Sequence, residues 1–373
     1  MISAWLLAVA PAGAQQIIDL PAEDRWLEPV IEEVYRVGTA VTGEDWQQFG
    51  RIAEVAFDAA GHLHVFDRQT QRIFVVGPDG DLIRELGRPG EGPGEFSTSG
   101  AMAVFTDGRV VVVDLSRWGY HIFAANGDFE RWVRVAKPPA IVRISRVVAQ
   151  PGADAIIGVP TLATAMTMTG RAFDEPVRLD TSHAFERTTL SGDESETDTV
   201  AEAWLPPIDT EGLDRKDLRN YGPVPTRLLP EFSPELHWGV LPDGRVAFAD
   251  SSTYTVKVAE AGAGVVHVMT RPFAPEPVTG RVIRAEKDRR LRRLEERAAP
   301  RANLRGRRRE IEELEFHTEL SVIRGLGTTW DGHILVLRRG DGPRDNGPID
   351  VLAPDGQCRA DSHLIEVIDV TGT

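Results

Sequence analysis

The spacing Gly-x5-Asp occurs three times in this chain in matching surroundings: Gly61 to Asp67 in GHLHVFD, Gly108 to Asp114 in GRVVVVD, and Gly244 to Asp250 in GRVAFAD. Each copy begins at a turn glycine, runs through an alternating apolar stretch and stops at an aspartate. Recurrence of one small β-unit at a period of roughly 40 to 50 residues marks propellers and solenoid arrays before any other fold. The register of the first two copies can be counted. Gly61 to Gly80 and Gly108 to Gly127 both span 19 residues, Asp67 to Gly80 and Asp114 to Gly127 both span 13, and the copies are offset by 47.

Each unit reads as four strands. In the first, VAFD (55–58), HLHVFD, RIFVV (72–76) and LIREL (82–86) are separated by turns at Gly61 and Asp79-Gly80; the second gives MAVF, VVVVD, YHIFA and FERWV around Asp107-Gly108 and Asn126-Gly127. Asp-Gly and Asn-Gly between alternating apolar runs predict type I′ hairpins, in which both central residues have positive φ. Four short antiparallel strands make one propeller blade. Further copies start at WGVLPDGRVAFAD (238–250) and GTTWDGHILVLRR (327–339), and IVRISRVV, DAIIGV and PVRLD, within 141 to about 205, supply strand-like pieces without the full signature. Five blades are recognisable. EEVYRVG (32–38) and LIEVIDV (364–370) are the candidates for completing a sixth, because a closed ring leaves no exposed sheet edge. The expected fold is therefore all-β, a six-bladed β-propeller of four-stranded antiparallel blades, with five or seven blades as alternatives.

A length of 373 residues suits one closed propeller over 15–373, and 42% hydrophobic with 27% charged residues is ordinary for a globular chain. Cys358 is the sole cysteine, so no intrachain disulfide forms. Residues 1–14 read as a signal peptide: AWLLAVA (4–10) is a short apolar core and Ala12-Gly13-Ala14 a small-residue cleavage site, although Met-Ile-Ser lacks the usual basic residue. The run is shorter than the ~20 residues a spanning helix needs. No transmembrane segment is expected, and the location predicted is periplasmic or secreted.

The chain is −15 overall, yet residues 281–309 carry 13 Lys and Arg against 4 Asp and Glu. Ile283, Leu291, Leu294 and Ala298 fall near helical spacing, with Ile311, Leu314 and Phe316 following, so 281–316 reads as a basic helical insert. One reading is a salt-bridged insert lying across acidic blades. Another is an arm that contacts an acidic partner or anionic membrane. Nucleic acid is not an expected partner, since strongly negative blades repel phosphates.

The segment FDAAGHLHVFDRQTQRIFVVGPDGDLIRELGRPGEGPGEF (57–96) resembles the NHL-repeat family of β-propellers, and the whole chain resembles exported bacterial six-bladed members of that group. The matching residues are the glycine-initiated strand ending at Asp67, Arg72-Ile73, the Pro78-Asp79-Gly80 turn, and the linker Gly87 to Phe96; the second copy has Gly119 where the first has Arg72. The resemblance implies a fold firmly. It implies a function loosely, since such propellers are mostly binding platforms and in a minority lyases or hydrolases.

The glycine-rich linker 87–96 is not a phosphate loop: Pro93 removes a donor, Glu91 and Glu95 repel phosphate, and a strand rather than a helix follows. It reads as an inter-blade connection whose Phe96 packs between sheets. Asp67, Asp114 and Asp250 share one geometry. Either each accepts backbone N–H groups from a loop, or together they form an acidic rim on one face with Arg68, Arg72, Arg117 and Trp118 in adjoining loops. In the last copy the equivalent position is Arg338. His62 and His64 alternate along a strand, but no third ligand accompanies them at a recognisable spacing. No nucleophile elbow or zinc-protease signature is present. The expectation is a non-catalytic binding or scaffold propeller of the cell envelope, without a cofactor, recognising a protein or extracellular ligand on one face. The alternative is a metal-dependent lactonase or lyase resembling gluconolactonase-type propellers, with Ca²⁺ or Zn²⁺ in the channel.

Overall fold

The computed structural model describes residues 15–25, 33–38, 44–96, 98–115, 117–135, 144–160, 182–207, 229–296 and 304–354. The leader 1–14, the strand-like piece 176–180, Cys358 and the run 364–370 lie outside them. A short strand β1 (Gln16–Asp19) precedes a four-stranded meander of β2 (Ile52–Phe57), β3 (Leu63–Asp67), β4 (Arg72–Val76) and β5 (Leu82–Leu86). The linker forms a two-residue parallel pair, β6 (Arg88–Pro89) with β7 (Glu95–Phe96). A second meander follows in β8 (Ser99–Val104), β9 (Val110–Asp114), β10 (Gly119–Phe123) and β11 (Phe129–Val135), and a third in β12 (Ile144–Ala149), β13 (Ala155–Pro160), β14 (Ser182–Thr189) and β15 (Glu194–Trp204). Arg134 and Val135 of β11 pair in parallel with Glu194 and Ser195 of β15, which joins the second and third meanders edge to edge.

The fourth meander is β16 (His237–Val240), β17 (Val246–Ala249), β18 (Thr255–Glu260) and β19 (Gly264–Thr270), and β1 adds to its outer edge in parallel. A small pair, β20 (Glu276–Pro277) with β21 (Glu319–Leu320), closes the base of the helical insert, α1 (Gly280–Glu296) and α2 (Leu304–Glu312). The fifth sheet is β22 (Ile323–Thr328), β23 (Ile334–Arg339) and β24 (Asn346–Leu352). The first strands of successive sheets, β2, β8, β12, β16 and β22, stand next to one another, so the sheets fan out from a common axis as in a β-propeller.

Apolar side chains on both faces of the sheets make this stacking obligatory. VVVVD of β9 is buried at every position, which a sheet with one wet face would not allow. Phe66, Ile73 and Val75 of the first sheet pack on Met102, Val104, Val110 and Val112 of the second. Val111, Val113 and Tyr120 meet Val147 and Ile156 of the third, and Ile157 and Phe185 meet Trp238 and Phe248 of the fourth. Val256 and Val258 then meet Ile334 and Val336 of the fifth. Residues 33–38, a candidate strand by sequence, form none. Instead Tyr35 and Val37, with Trp46 and Phe49, cover Leu63, Val65, Phe74 and Val76 on the other face of the first sheet.

The hairpins differ from the type I′ expectation. Gly61, Gly108, Gly244 and Gly332 have φ of 79°, 84°, 83° and 91°, but the residue before each keeps a negative φ. Gly108 donates to the Phe105 carbonyl at 3.0 Å and Phe105 to that of Arg109 at 2.9 Å, a type I turn followed by a left-handed glycine bulge. Asp107 and Asp243 explain the choice. Each carboxylate accepts the backbone N–H two residues on, from Arg109 and Arg245, at 3.1 Å, a local bond of the Asx type.

Phe96 is fully buried and lies edge-on to Phe66 and Phe123, as the linker sequence predicts. Gly87, at φ 72°, is where the chain passes under it: a Cβ there would sit 2.3 Å from the Phe96 ring. Gly119 is similarly required, since a Cβ would sit 2.3 Å from the Trp132 indole, and this accounts for glycine where the first copy has Arg72.

In the insert, the Thr279 carbonyl and hydroxyl accept from Ile283 and Val282 at the start of α1. Buried Glu286 accepts from Arg289, Arg290 and Arg344, and Glu231 bonds Arg290 and Arg344, so the helix is tied to the fifth sheet's loop by ions. Burial pushes the Glu286 carboxyl up, but the arginines outweigh it and hold it down at about 2. We expect Phe96→Ala to lower unfolding free energy by about 3–5 kcal/mol, measured by urea denaturation. A change under 1 kcal/mol would show that the sheets do not depend on this wedge.

Candidate functional site

Strand register brings the ends of the repeated units to one face. Asp67 pairs with Ile52, Asp114 with Ser99 and Arg338 with Ile323, each at the start of its sheet's first strand, and Asp250 follows Ala249, which pairs with His237. The three aspartates are buried. Asp67 accepts the backbone N–H groups of Gly50, Arg51 and Gln69, each at 2.9 Å. Burial raises its pKa, but these donors outweigh burial and leave it below the usual range. Asp114 lies 3.1 Å from His121 Nε2, and Asp250 accepts from the Trp204 N–H at 2.8 Å and from Lys257 Nζ at 2.7 Å. At the fifth sheet the ionic position inverts. Arg338 donates to Asp24 at 2.7 Å and lies 3.4 Å from Asp350, while Arg271 lies 2.9 and 3.1 Å from the same two carboxylates.

The other loop residues singled out by sequence are spread over this face. Arg72 pairs with Glu85 at 2.8 Å on the outside of the first sheet. Arg117 donates to the Glu91 carbonyl at 2.6 Å and lies over Trp132. Trp118 has φ 57°, a conformation that bulky residues rarely adopt, and is 37% exposed. Its counterpart 47 residues earlier, Gln71, has φ 55°, and there the side chain binds inward, to the Arg68 carbonyl and to Ser99. One backbone geometry thus serves packing in the first sheet and presents an indole in the second. Trp204 is also exposed at this end of the third sheet.

Nearer the axis is a group that the sequence did not single out: Glu54 on β2, Arg146 on β12, His237 on β16 and Arg324 on β22, joined by Arg68. Pairing registers skip between Ile52 and Glu54, Ser99 and Met102, Ile144 and Val147, and Ile323 and Gly325. Such bulges re-aim side chains, and Arg146 and Arg324 sit within them. Glu54 accepts the Met102 N–H at 3.2 Å, Arg68 donates to the Gly100 carbonyl at 2.6 Å, and Arg146 donates to the Trp238 carbonyl at 2.9 Å with its guanidinium 5.0 Å from the indole centre. Burial drives the Glu54 carboxyl up to about 7 although Met102, Arg146 and Arg68 pull it down. Burial likewise lowers Arg68 and Arg146, opposed by Glu54, and lowers His237, where Glu235 opposes and Arg324 assists. Arg146 nonetheless keeps an exposed side chain. First strands of a propeller surround a central channel, and a side chain that is exposed yet depressed by desolvation suits its mouth.

The opposite face holds the hairpin turns. Asp58 binds His62 Nδ1 at 2.9 Å and His64 Nε2 at 3.3 Å beside a cavity of about 120 Å³, so the two histidines do share a carboxylate. A second cavity of about 290 Å³ lies between the fourth and fifth sheets, lined by Arg245, His267 and His333. Among the described residues no group of three or more His, Cys, Asp or Glu is arranged to hold a metal ion. No described helix is long and apolar enough to cross a membrane.

No protein-family model matches the sequence, and no curated protein matches it. Solved structures do resemble it. A Bacteroides fragilis protein named as exported has 10% identity, covers 91% of this chain and 78% of its own, and gives a TM-score of 0.45. The Swd1 β-propeller domain of Myceliophteria thermophila has 8% identity over 78% of this chain and 64% of its own, with a TM-score of 0.37. The virginiamycin B lyase of Staphylococcus aureus, bound to quinupristin, has 10% identity over 81% and 67%, with a TM-score of 0.36. The propeller arrangement itself rests on the sheets described above.

Two outcomes are expected. Glu54 is protonated more readily folded than unfolded, so it burdens the fold increasingly as pH rises from about 4.5 through about 7. Glu54→Gln therefore matches the wild type near pH 4 and exceeds it above pH 7, by roughly 2 kcal/mol after allowance for water in the opening; parallel stability curves would refute this. Asp67 has the opposite sign: its depressed pKa gives stability above the unfolded value near 4, lost as pH falls through the folded one. Asp67→Asn should cost about 1–3 kcal/mol at pH 7, and the difference should shrink in acid.

Proposed function

We propose that this chain is a non-catalytic binding propeller of the cell envelope that recognises a protein or extracellular ligand on the face where Asp67, Asp114 and Asp250 end their strands. The observation that carries the reading is the build of that face. Buried carboxylates lock the loops to the sheets, while Arg68, Arg146 and Arg324 present guanidinium groups near the axis and Trp118 and Trp204 stand exposed. Arginine and tryptophan are the residues that dominate recognition surfaces. The finer expectations belong to the same proposal: NHL-type repeats, six blades, export with a cleaved leader, and a place in the periplasm or outside the cell. The fifth sheet has three strands among the described residues. A fourth along its outer edge, where Ile349 is exposed, would complete that blade, while a sixth blade would stack between the fifth sheet and the first.

A second reading, a lactonase or lyase, draws on Glu54, whose carboxyl titrates near neutrality as a general base or acid must. The donor set at the axis is mostly cationic. It suits an anion better than the Ca²⁺ or Zn²⁺ of a metal-dependent enzyme.

Capture from envelope extract by immobilised full-length protein tests the first reading. Trp118→Ser with Trp204→Ser should abolish capture, and Trp330→Ser on the opposite face should leave it intact. Equal retention by both variants would refute the face. Turnover of a lactone panel that chelator removes and Ca²⁺ or Zn²⁺ restores would establish the enzyme instead.

A further inference from the structure

We propose that the axial opening binds a small carboxylate-bearing anion, held jointly by Arg68, Arg146 and Arg324. This rests on the binding-module reading and names the ligand that its centre takes. Three arginines come from the first, third and fifth sheets, two of them at register shifts in strands that otherwise carry core residues. A run of hydrogen bonds and fields connects them: Glu54 feels Arg68 and Arg146, Arg146 donates to the carbonyl of Trp238, and the adjacent His237 feels Arg324. Among the described residues the carboxylate that faces Arg68 and Arg146 is Glu54, whose own burial favours the neutral acid, and Glu235 acts on His237 beside Arg324. Enclosed charges are stable only when paired and hydrogen-bonded. Among the described residues this group is short of anion.

Hydrogen-bond accounting agrees. Arg68 Nε and Arg324 Nη1 are shut off from solvent and have no acceptor among the described residues. A buried donor without a partner costs about 1–3 kcal/mol, a penalty that a ligand oxygen removes. Arg146 is prepared for the same role: its Nη1 is spent on the Trp238 carbonyl and its plane rests near the indole, which fixes the rest of the fork. Guanidinium forks match planar carboxylates bidentately. Glu54 narrows the choice, because as an acid it donates to a ligand oxygen and as an anion it repels a singly charged carboxylate group less than a phosphate dianion. A net charge of −15 on the whole chain favours a small ligand over a polyanion.

Isothermal titration of the full chain with succinate, citrate and inorganic phosphate at low ionic strength is the test. Succinate or citrate should bind saturably and more tightly than phosphate. Arg146→Gln and Arg324→Gln should each weaken binding at least tenfold, and Arg309→Gln on α2, exposed and paired with Glu313, should not change it. Unliganded, Arg324→Gln should melt at or above the wild-type temperature, because it removes an enclosed donor that has no acceptor among the described residues; an arginine kept for structure would lower it. If one variant does not fold, the other decides. No saturable carboxylate binding, binding of phosphate alone, or equal affinity in wild type and variants would overturn the proposal. Were carboxylate binding absent while capture still depended on Trp118 and Trp204, the anion site alone would fall. Were carboxylate bound while capture ignored both faces, the anion site would stand and the partner-binding face would fall.

Discussion

Face-to-face burial between successive sheets is the constraint on which the rest depends. A strand such as VVVVD, apolar at consecutive positions, has no wet side, so its sheet must be covered twice. Five sheets meet that need by stacking on their neighbours, through apolar layers that run from Phe66 and Val112 to Val258 and Val336. With no disulfide to tie them, shape fit at wedges such as Phe96 over Gly87 sets the spacing. Fanning sheets necessarily crowd at one side. That crowding places the first strands together and gives the molecule a centre.

Crowding at the centre also explains the electrostatics. Side chains that would be solvated on an ordinary sheet are enclosed there by neighbouring first strands, so desolvation becomes the largest influence on Glu54, Arg68, Arg146 and His237. Nearer the rim the same types of group behave differently. Asp67 is buried but surrounded by backbone donors, and the donors prevail. A carboxyl pushed up and a carboxylate held down thus occur on one sheet, and the difference lies in how many N–H groups each receives.

The fifth sheet shows how a repeat tolerates substitution when its chemistry is conserved with the sign reversed. Arg338 occupies the aspartate position, and Asp24 and Asp350 supply the negative charge that Arg338 and Arg271 need. Asp24 comes from the N-terminal segment that also delivers β1 to the edge of the fourth sheet. One ionic cluster therefore fastens the start of the described chain to its last two sheets. The helical insert is fastened in a related way, through Glu286 and Glu231 to Arg344, so part of its positive charge is consumed in attachment. Arg281, Arg284, Arg292 and Arg293 remain exposed on α1.

The repeat, its phase, the turn glycines and the linker wedge were legible in the sequence, because a glycine at positive φ and a β-run of fixed length leave a local pattern. The 47-residue offset even carries over to the backbone of Gln71 and Trp118. Turn type was not legible, since Asp-Gly suits both hairpin classes and the Asp107 side chain decided between them. Nor was the third meander's outer half, where the charged and threonine-rich run of β15 lacks the apolar alternation of its counterparts. The axial group was hidden for a different reason. Glu54, Arg146 and Arg324 lie far apart in the chain, each a single charge within an apolar strand, and their shared surroundings arise only when sheets stack around one axis. Sequence alone determined the unit and its repetition, because those depend on neighbours in the chain. Which charges meet, and which are stripped of water, was decided by tertiary structure, because desolvation and pairing depend on neighbours in space.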